Sequence, residues 1–297
     1  MKKLLLTLML SYLFCVQNGV AEDILVLQSL SIKPYNDALQ GCRSVCKAKT
    51  QKLISSGLSE AEIVRKVRKA RPDLIIAIGQ DALVKASSIR DVPVVYIMVL
   101  NPESLIQENV NITGVCLNIE PEKQLAQLRM ILPHAKTIGL LFDPSRSGIF
   151  IGKAYNAASL MGINLLTKAV YSSREAIASI EDLKGKVDAL WLIPDITVVN
   201  PATIELLLLS AIENRIPVFT FSEKILGKGA LLSMEVDAVE AGRQAGEIVK
   251  RVLAGGNMKN LEKEYARASI LTINPIIAKK LGINISDNTI KQAKIIR

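Results

Sequence analysis

The fold of this chain is indicated by one stretch, Arg71-Pro72-Asp73-Leu74-Ile75-Ile76-Ala77-Ile78-Gly79. It is an apolar strand introduced by an Asp, and a helical run separates it from a second apolar strand, Val92-Pro93-Val94-Val95-Tyr96. The same plan recurs at Lys186-Val187-Asp188-Ala189-Leu190-Trp191-Leu192-Ile193-Pro194-Asp195, with its second strand at Ile216-Pro217-Val218-Phe219-Thr220-Phe221. Strands that are apolar at every position are typical of parallel sheets covered by helices on both faces. Two such units, separated near residue 120, predict two α/β lobes of similar plan.

The composition agrees with this class. The chain has 297 residues, enough for one large domain or two of ordinary size. Hydrophobic residues make up 49% and aromatic residues only 4%, which describes an aliphatic core. The formal net charge is +9, but the basic residues are scattered among helices, apart from residues 65–71 on one helix. Because nucleic-acid binding needs a clustered basic face with aromatic or helix-turn-helix signals, we expect no nucleic-acid partner.

The N-terminus has the pattern of a secretory signal peptide. A short basic start and the apolar stretch Leu4–Val16 precede the small residues Gly19–Ala21. The apolar stretch is too short for a transmembrane helix. Phe14 stands before Cys15, where lipid attachment requires a small residue. We therefore expect residues 1–21 to be removed and the mature protein to be soluble and periplasmic.

Three cysteines remain after the predicted cleavage. Cys42 and Cys46 lie four residues apart on one face of a predicted helix, and Cys116 lies in a predicted strand. An odd number excludes full pairing within the chain, and the helical spacing would strain a disulfide. His134 is the only histidine, so a metal site has little support. We expect buried or half-buried thiols and no metal.

A set of short phrases occurs in order along most of the mature chain: Arg71–Ile78, Asn111–Val115, Leu132–Gly139, Lys186–Leu190, Ile216–Phe219, Ala241–Glu247 and Leu271–Asn274. Together they resemble the substrate-binding proteins of ABC importers, in the branch of tryptophan- and tyrosine-type binding proteins. The resemblance implies an α/β fold of the type I periplasmic-binding-protein kind, with two Rossmann-like lobes. Each lobe would hold a parallel sheet flanked by helices, and the ligand cleft would lie between them. It also implies a non-enzymatic monomer without cofactor that delivers a small-molecule ligand, amino acid-like by preference, to an ABC permease in the inner membrane.

The order of elements divides the chain into these lobes. Residues 22–118 and about 238–256 are assigned to lobe 1. Residues 119–237 and about 266–284 are assigned to lobe 2, and 285–297 to a polar, basic tail.

Ligands of open α/β sheets bind beyond the carboxyl ends of strands, where helix N-termini present free N–H groups. The residues predicted at these positions are Ser29, Ser31, Gly79, Gln80, Asp81, Asn101, Ser145, Arg146, Ser147, Asp195, Thr197, Ser222, Glu223 and Asp237. Arg146 fits a two-point contact with a ligand carboxylate or phosphate, or an exposed loop position. Asp81 and Asp237 also fit helix caps. Asp195 and Glu223 fit either an ammonium contact or solvated loop acids.

The predicted cleft departs from the family pattern in the loop 143–150, in the shortened polar run 194–198 and in the short segment before Leu58. The identity of the ligand therefore stays open. Two other functions also stay open: a receptor that docks on a membrane signalling protein, and an enzyme built on the same lobes. The sequence has no nucleophile elbow, P-loop, G-x-G-x-x-G or paired zinc-ligand spacing, so no catalytic residue is assigned.

Overall fold

The computed structural model describes residues 23–106 and 111–296. The predicted signal peptide, residues 1–21, lies outside these ranges. Within them, none of the helices has the length and apolar character needed to cross a membrane. The described residues form two α/β lobes with mainly parallel sheets, which confirms the predicted fold class.

Strands and helices alternate along most of the described chain, as the sequence pattern predicts. The strands are β1 (Asp23–Gln28), β2 (Lys49–Ile54), β3 (Leu74–Ile78), β4 (Val94–Val99), β5 (Ile112–Cys116), β6 (Thr137–Phe142), β7 (Asn164–Ala169), β8 (Ala189–Trp191), β9 (Val218–Thr220), β10 (Leu232–Val236), β11 (Glu264–Tyr265), β12 (Ser269–Ile273) and β13 (Lys294–Ile295). The helices are α1 (Lys33–Val45), α2 (Glu60–Ala70), α3 (Gln80–Ala86), α4 (Pro121–Ile131), α5 (Pro144–Leu160), α6 (Ser173–Leu183), α7 (Ile204–Glu213), α8 (Glu223–Leu226), α9 (Ala238–Leu253), α10 (Pro275–Leu281) and α11 (Asp287–Gln292).

The first lobe is built on a sheet of six described strands in the order β11-β5-β4-β3-β1-β2, all parallel. Strands β3, β4 and β5 are buried at every position. This is the physical meaning of the uninterrupted apolar runs in the sequence, because helices cover both faces of the sheet. The lobe has an apolar core on each face of the sheet. Helices α2 and α3 pack on one face, and helices α1 and α9 pack on the other.

The second lobe holds a sheet of seven described strands in the order β13-β12-β10-β9-β8-β6-β7. All neighbours are parallel except β10 and β12, which pair antiparallel. Trp191 of β8 is fully buried at the centre of this lobe, edge-on to Phe150 at 5.7 Å and stacked with Phe219 at 6.3 Å between ring centroids.

The chain end is part of the second lobe instead of the polar tail that the sequence suggested. Helix α11 and strand β13 follow α10, and β13 pairs with β12. Ile285 and Ile295 pack against the core of the lobe, although polar and basic residues surround them in the sequence. Apolar residues this widely spaced give no clear period, which is why the sequence pattern missed the two elements.

Within the described residues the chain crosses between the lobes three times. The crossings lie at 117–120 between β5 and α4, at 237 between β10 and α9, and at 266–268 between β11 and β12. Strand β11 pairs with β5, so residues 264–265, which the predicted boundaries left unassigned, lie in the sheet of lobe 1.

Helices α1 and α9 pack backbone against backbone. A Cβ atom added to Gly242 would lie 1.9 Å from the carbonyl oxygen of Ala38, and one added to Gly41 would lie 2.0 Å from that of Val239. Any side chain at these two glycines must therefore push the helices apart. The contact explains why small residues recur in the stretch 241–246, and it holds the returning chain on the first lobe.

The thiols of Cys42, Cys46 and Cys116 are all free and buried within the described ranges, which confirms the expectation from the sequence. Burial raises the pKa of Cys42 to about 12 and that of Cys116 to about 11. Both groups are therefore protonated at neutral pH, and the thiol rather than the reactive thiolate is the stable form.

We predict that Gly242→Ala lowers the free energy of unfolding by about 1–3 kcal/mol, because the added methyl group overpacks the helix contact. The measurement is urea denaturation followed by the fluorescence of Trp191. Gly152→Ala is the matched control: it lies inside α5 with no atom near the added Cβ, so it should stabilise the protein by about 0.5–1 kcal/mol. A Gly242→Ala protein as stable as the wild type would contradict the packing described here.

We also predict that the chain from Glu22 shows almost no thiol reaction with Ellman's reagent at pH 8 in its native state. All three cysteines should react within the same time after unfolding in guanidinium chloride, because unfolding exposes them and lowers the raised pKa of Cys42 and Cys116. Rapid reaction of one thiol equivalent in the native protein would show that one of these sites is open to solvent.

Candidate functional site

A cavity of about 610 Å³ lies between the lobes, next to the crossings at 117–120 and 237. Its volume falls in the range of roughly 300–1,000 Å³ that is typical of small-molecule sites. Lobe 1 contributes the start of α1 and the end of β4, and lobe 2 contributes α5 and the ends of β9 and β10. The cavity is therefore shared between the two lobes, as the cleft of the predicted fold should be.

Most of the cavity wall is apolar. Phe150, Phe221, Met98 and Met234 line it, together with aliphatic side chains from the crossings. Phe150 is held in place because its ring packs edge-on against the buried Trp191. The wall thus offers a preformed surface for the apolar or aromatic body of a ligand.

Met98 reaches this wall through an irregular strand. Its φ angle is 59°, in the left-handed region that side chains rarely adopt, and the pairing of β4 with β5 shifts register between Ile97 and Val99. Such a β-bulge re-aims a side chain and costs about 1–3 kcal/mol of backbone strain. The strain lies at the cavity, where the polarizable thioether of Met98 contributes an adaptable surface.

The ionisable side chains at the cavity are mainly acidic. Asp37, Glu235 and Asp237 line it, and Lys33 is the cation among the described lining residues. Glu235 Oε1 accepts the backbone N–H of Glu223 at 2.6 Å. Asp237 caps α9, with Oδ1 accepting the N–H of Glu240 at 3.0 Å. One oxygen of Glu235 and one oxygen of Asp237 are thus held by backbone N–H groups.

Two buried amides hold the crossing at 117–120 beside the cavity. Gln124 donates to the carbonyl oxygen of Ile119 at 2.8 Å and accepts the indole N–H of Trp191 at 3.0 Å. Asn118 donates to Asn101 Oδ1 at 2.8 Å, while its own Oδ1 accepts the N–H of Asn101 at 2.9 Å. These bonds tie the crossing to the cores of both lobes.

Of the predicted site residues, Ser222 and Asp237 line the cavity. Ser222 also caps α8, as Asp237 caps α9. Glu223, which follows Ser222, instead pairs with Lys294 of β13 at 2.7 Å. The remaining predicted residues lie in three groups outside the cavity lining, and their contact with a ligand stays a prediction.

The first group surrounds the start of α3. The hydroxyl of Ser29 accepts the N–H of Ala82 at 2.9 Å and lies beside Gly79. Gln80 and Ser31 are exposed. Asp81 turns to the side and bonds the Ser55 hydroxyl and the Lys85 ammonium; although burial raises its pKa, these bonds hold the pKa below its usual value.

The second group is a network of mutually bonded polar side chains at the start of α5. Asp195 is 1% exposed and accepts the Ser147 hydroxyl at 2.7 Å and the Asp143 N–H at 2.8 Å. Asp143 in turn accepts the hydroxyls of Ser145 at 2.7 Å and of Thr197 at 2.8 Å. The network joins the ends of β6 and β8, and its two carboxylates accept hydrogen bonds from other members of the network.

The third group bridges the lobes next to the cavity. Asn101 donates to the carbonyl oxygen of Arg146 at 3.3 Å, and Lys153 donates to the Tyr265 hydroxyl at 2.6 Å. The Arg146 guanidinium lies 3.6 Å from Asp143 Oδ2. These side chains surround a gap of about 30 Å³, and Phe150 lies on both this gap and the cavity.

The sequence-based prediction missed Asp37, Met98, Asn118 and Gln124. A signal was present for Gln124, since it shares the buried helix face of Leu125 and Leu128, where an amide needs partners. The position of Met98 depends on a bulge that leaves no mark in the local sequence pattern.

The model of the family described as ABC transporter substrate binding protein matches residues 45–296. This chain belongs to that family. The ABC transporter substrate-binding proteins are a class of binding proteins, in agreement with the interlobe cavity.

A relative with a related sequence is the tyrosine-binding protein of Clostridioides difficile (strain R20291). It is 26% identical over 242 residues, which cover 78% of this chain and 70% of the relative.

Two solved structures have similar folds. One is the ligand-free, open structure of a substrate binding protein with adhesive properties from Clostridium difficile, with a TM-score of 0.75 and 22% identity over 93% of this chain and 99% of the other. The other is the ABC domain from Streptococcus pneumonia in complex with L-Trp, with a TM-score of 0.65 and 23% identity over 93% and 99% of the two chains. Both agree with the type I periplasmic-binding-protein fold of this family member.

We predict a pH-dependent effect of Asp143→Asn. The Ser145 hydroxyl holds the pKa of Asp143 below its usual value, with burial acting against it and Thr197 assisting. A lowered pKa in the folded state stabilises the protein above the ordinary pKa of the group, and this contribution is lost as the pH falls through the folded-state pKa. Asp143→Asn should therefore cost about 1–2 kcal/mol at pH 7 and progressively less below about pH 4.

The measurement is urea denaturation of both proteins across this pH range. Asp91→Asn, at an exposed loop position, is the control and should change the stability little at any pH. A constant difference between Asp143→Asn and the wild type from pH 7 to pH 3 would contradict the assigned charge of the network.

Proposed function

We propose that this protein is an exported solute-binding protein of an ABC importer. In this proposal residues 1–21 direct export to the periplasm and are removed, and the mature monomer binds a small amphipathic molecule between its lobes. The loaded protein then delivers the ligand to a permease in the inner membrane, without chemical change. The observation that carries the proposal is the cavity of about 610 Å³ shared by both lobes of a member of the substrate-binding family.

The walls of the cavity support an amphipathic ligand. Phe150, Phe221 and Met98 offer an apolar surface, and Glu235 and Asp237 offer negative charge at one end. A molecule with an apolar body and a positively charged nitrogen satisfies both. Apolar and aromatic amino acids are one class of this kind, and the tyrosine-binding relative supports including them.

The crossings supply a mechanism for capture. In two-lobed proteins, rotation about a few residues between the lobes closes the cleft around the ligand. Here the bonds Asn101–Arg146 and Lys153–Tyr265 join the lobes beside the cavity, and they must open and re-form if the lobes rotate. Closure would remove the apolar ligand surface from water and present a changed lobe arrangement to the permease.

We predict that ligands from a panel of apolar and aromatic amino acids and amines raise the melting temperature of the chain from Glu22. A ligand that binds only the folded state adds about 2.7 kcal/mol of stability at a hundred times its dissociation constant. Isothermal titration should confirm the hit, and chromatography should recover the ligand unchanged. An altered ligand would indicate an enzyme, and no hit in the panel would contradict the proposed ligand class.

The matched variants are Phe221→Ala and Tyr171→Ala. Phe221 is half-buried and lines the cavity, and losing its ring contact with the ligand should weaken binding by about 10- to 100-fold. Tyr171 is 70% exposed, so removing its ring should leave the affinity unchanged. Equal affinities for all three proteins would show that the ligand binds elsewhere.

A further inference from the structure

The charges around the cavity are unbalanced. Among the lining residues that the structure describes, Asp37, Glu235 and Asp237 carry negative charge, while Lys33 alone carries positive charge. Lys33 is not directed at a ligand. Its ammonium lies 2.6 Å from Asp37 one helical turn away, and its side chain is 85% exposed. Lys33 and Asp37 therefore neutralise each other at the rim, and the carboxylates of Glu235 and Asp237 remain without a cation among the described lining residues.

Glu235 and Asp237 stand on the same side of the chain, because alternate residues of an extended segment point the same way. Each is half-buried, and each holds one oxygen on a backbone N–H, from Glu223 or from Glu240. The second oxygen of each carboxylate has no hydrogen bond to another of the described residues. Two adjacent carboxylates repel each other in a partly buried site, and a cation between them relieves the repulsion.

A ligand carboxylate finds no comparable position in the cavity. Arg146 and Lys153 do not line the cavity; they lie at the gap that shares Phe150 with it. Arg146 faces Asp143 at 3.6 Å, and Lys153 is bonded to the Tyr265 hydroxyl.

The helix ends that reach the cavity give no better anion site. The N-terminus of α9 is capped by the carboxylate of Asp237 itself. Helix α1 begins at the cavity with Lys33; its second residue, Pro34, has no N–H, and Asp37 adds a negative charge in its next turn.

We infer that the ligand of this protein is an amine without a carboxylate, in which a protonated nitrogen is attached to an aromatic or branched apolar body. The inference rests on the proposed function. It narrows the ligand class from amphipathic molecules in general to cationic amines, and it excludes zwitterionic amino acids. The ammonium group lies between Glu235 and Asp237, and the apolar body contacts Phe150, Phe221 and Met98.

The reason for the selectivity is the cost of an unpaired charge. An amino acid and its decarboxylated amine place the same body and the same ammonium in the cavity. The amino acid must also remove its carboxylate from water beside two other carboxylates and without a cation to receive it. We expect the amine to bind at least about tenfold more tightly than the matching amino acid.

The experiment is isothermal titration of the chain from Glu22 with matched ligands: tyramine and L-tyrosine, tryptamine and L-tryptophan, phenethylamine and L-phenylalanine. The acids 3-phenylpropionate and indole-3-propionate, which have no amine, complete the set. At least one amine should bind more tightly than its amino acid, and the acids should not bind. The affinity of the amine should fall only modestly as the salt concentration rises, because mobile ions screen half-buried charges less than exposed ones.

Glu235→Gln tests the contact directly. The amide oxygen can still accept the N–H of Glu223, so the local backbone should be retained while the charge is lost. The affinity for the amine should fall by at least about tenfold. Glu205→Gln is the matched control. It removes an exposed carboxylate of α7 that pairs with Lys228, and because neither residue lines the cavity it should leave the affinity unchanged.

Tighter binding of an amino acid than of its amine would overturn the inference and leave the proposed function in place. In that case Arg146→Gln would identify the anion site if it abolished the preference for the amino acid. Equal affinity of the wild type and Glu235→Gln for the amine would also overturn it. If neither the matched ligands nor the wider panel of amino acids and amines bound, the proposed function itself would fail.

Discussion

The close packing of α1 on α9 is the contact on which the site depends. At Gly41 and Gly242 the two helix backbones approach so closely that neither position has room for a Cβ atom. Because the two helices begin at the cavity, this contact places both Asp37 of α1 and Asp237, the N-cap of α9, in the cavity wall. Helix α9 comes directly from the last strand of lobe 2 before the crossing. The contact between α1 and α9 therefore holds α9 on lobe 1 and completes the cavity wall.

The other connections between the lobes differ in how firmly they are held. The crossing at 266–268 is tied to α9, since Arg267 donates to Glu240 at 2.6 Å and to Glu247 at 2.8 Å. Asn118 and Gln124 hold the crossing at 117–120 through buried amide bonds. The contacts across the cleft are few and exposed by comparison. A hinge motion would break these few bonds and leave the crossings intact, which is the behaviour expected of a ligand-binding cleft.

Much of the fold could be predicted from the sequence, and less of the site. The apolar runs of β3, β4 and β8 predicted two parallel sheets, and a repeated order of elements predicted two lobes. At the site, Ser222 and Asp237 were predicted to face the cleft because they follow strands, and they line the cavity. Met98 was not predicted, because a bulge directs its side chain.

By itself, the sequence determined the class of fold, the order of its elements and the family, because these follow from local apolar periodicity and from short phrases along the chain. Only the tertiary structure decided which polar side chains are available to a ligand. Asp195 and Ser147 satisfy each other across 48 positions of sequence, whereas Glu235 and Asp237 each keep one oxygen without a hydrogen bond from the described residues, beside an apolar wall. The physical reason is that a polar group is satisfied by its neighbours in space, and those neighbours are set by packing between distant segments.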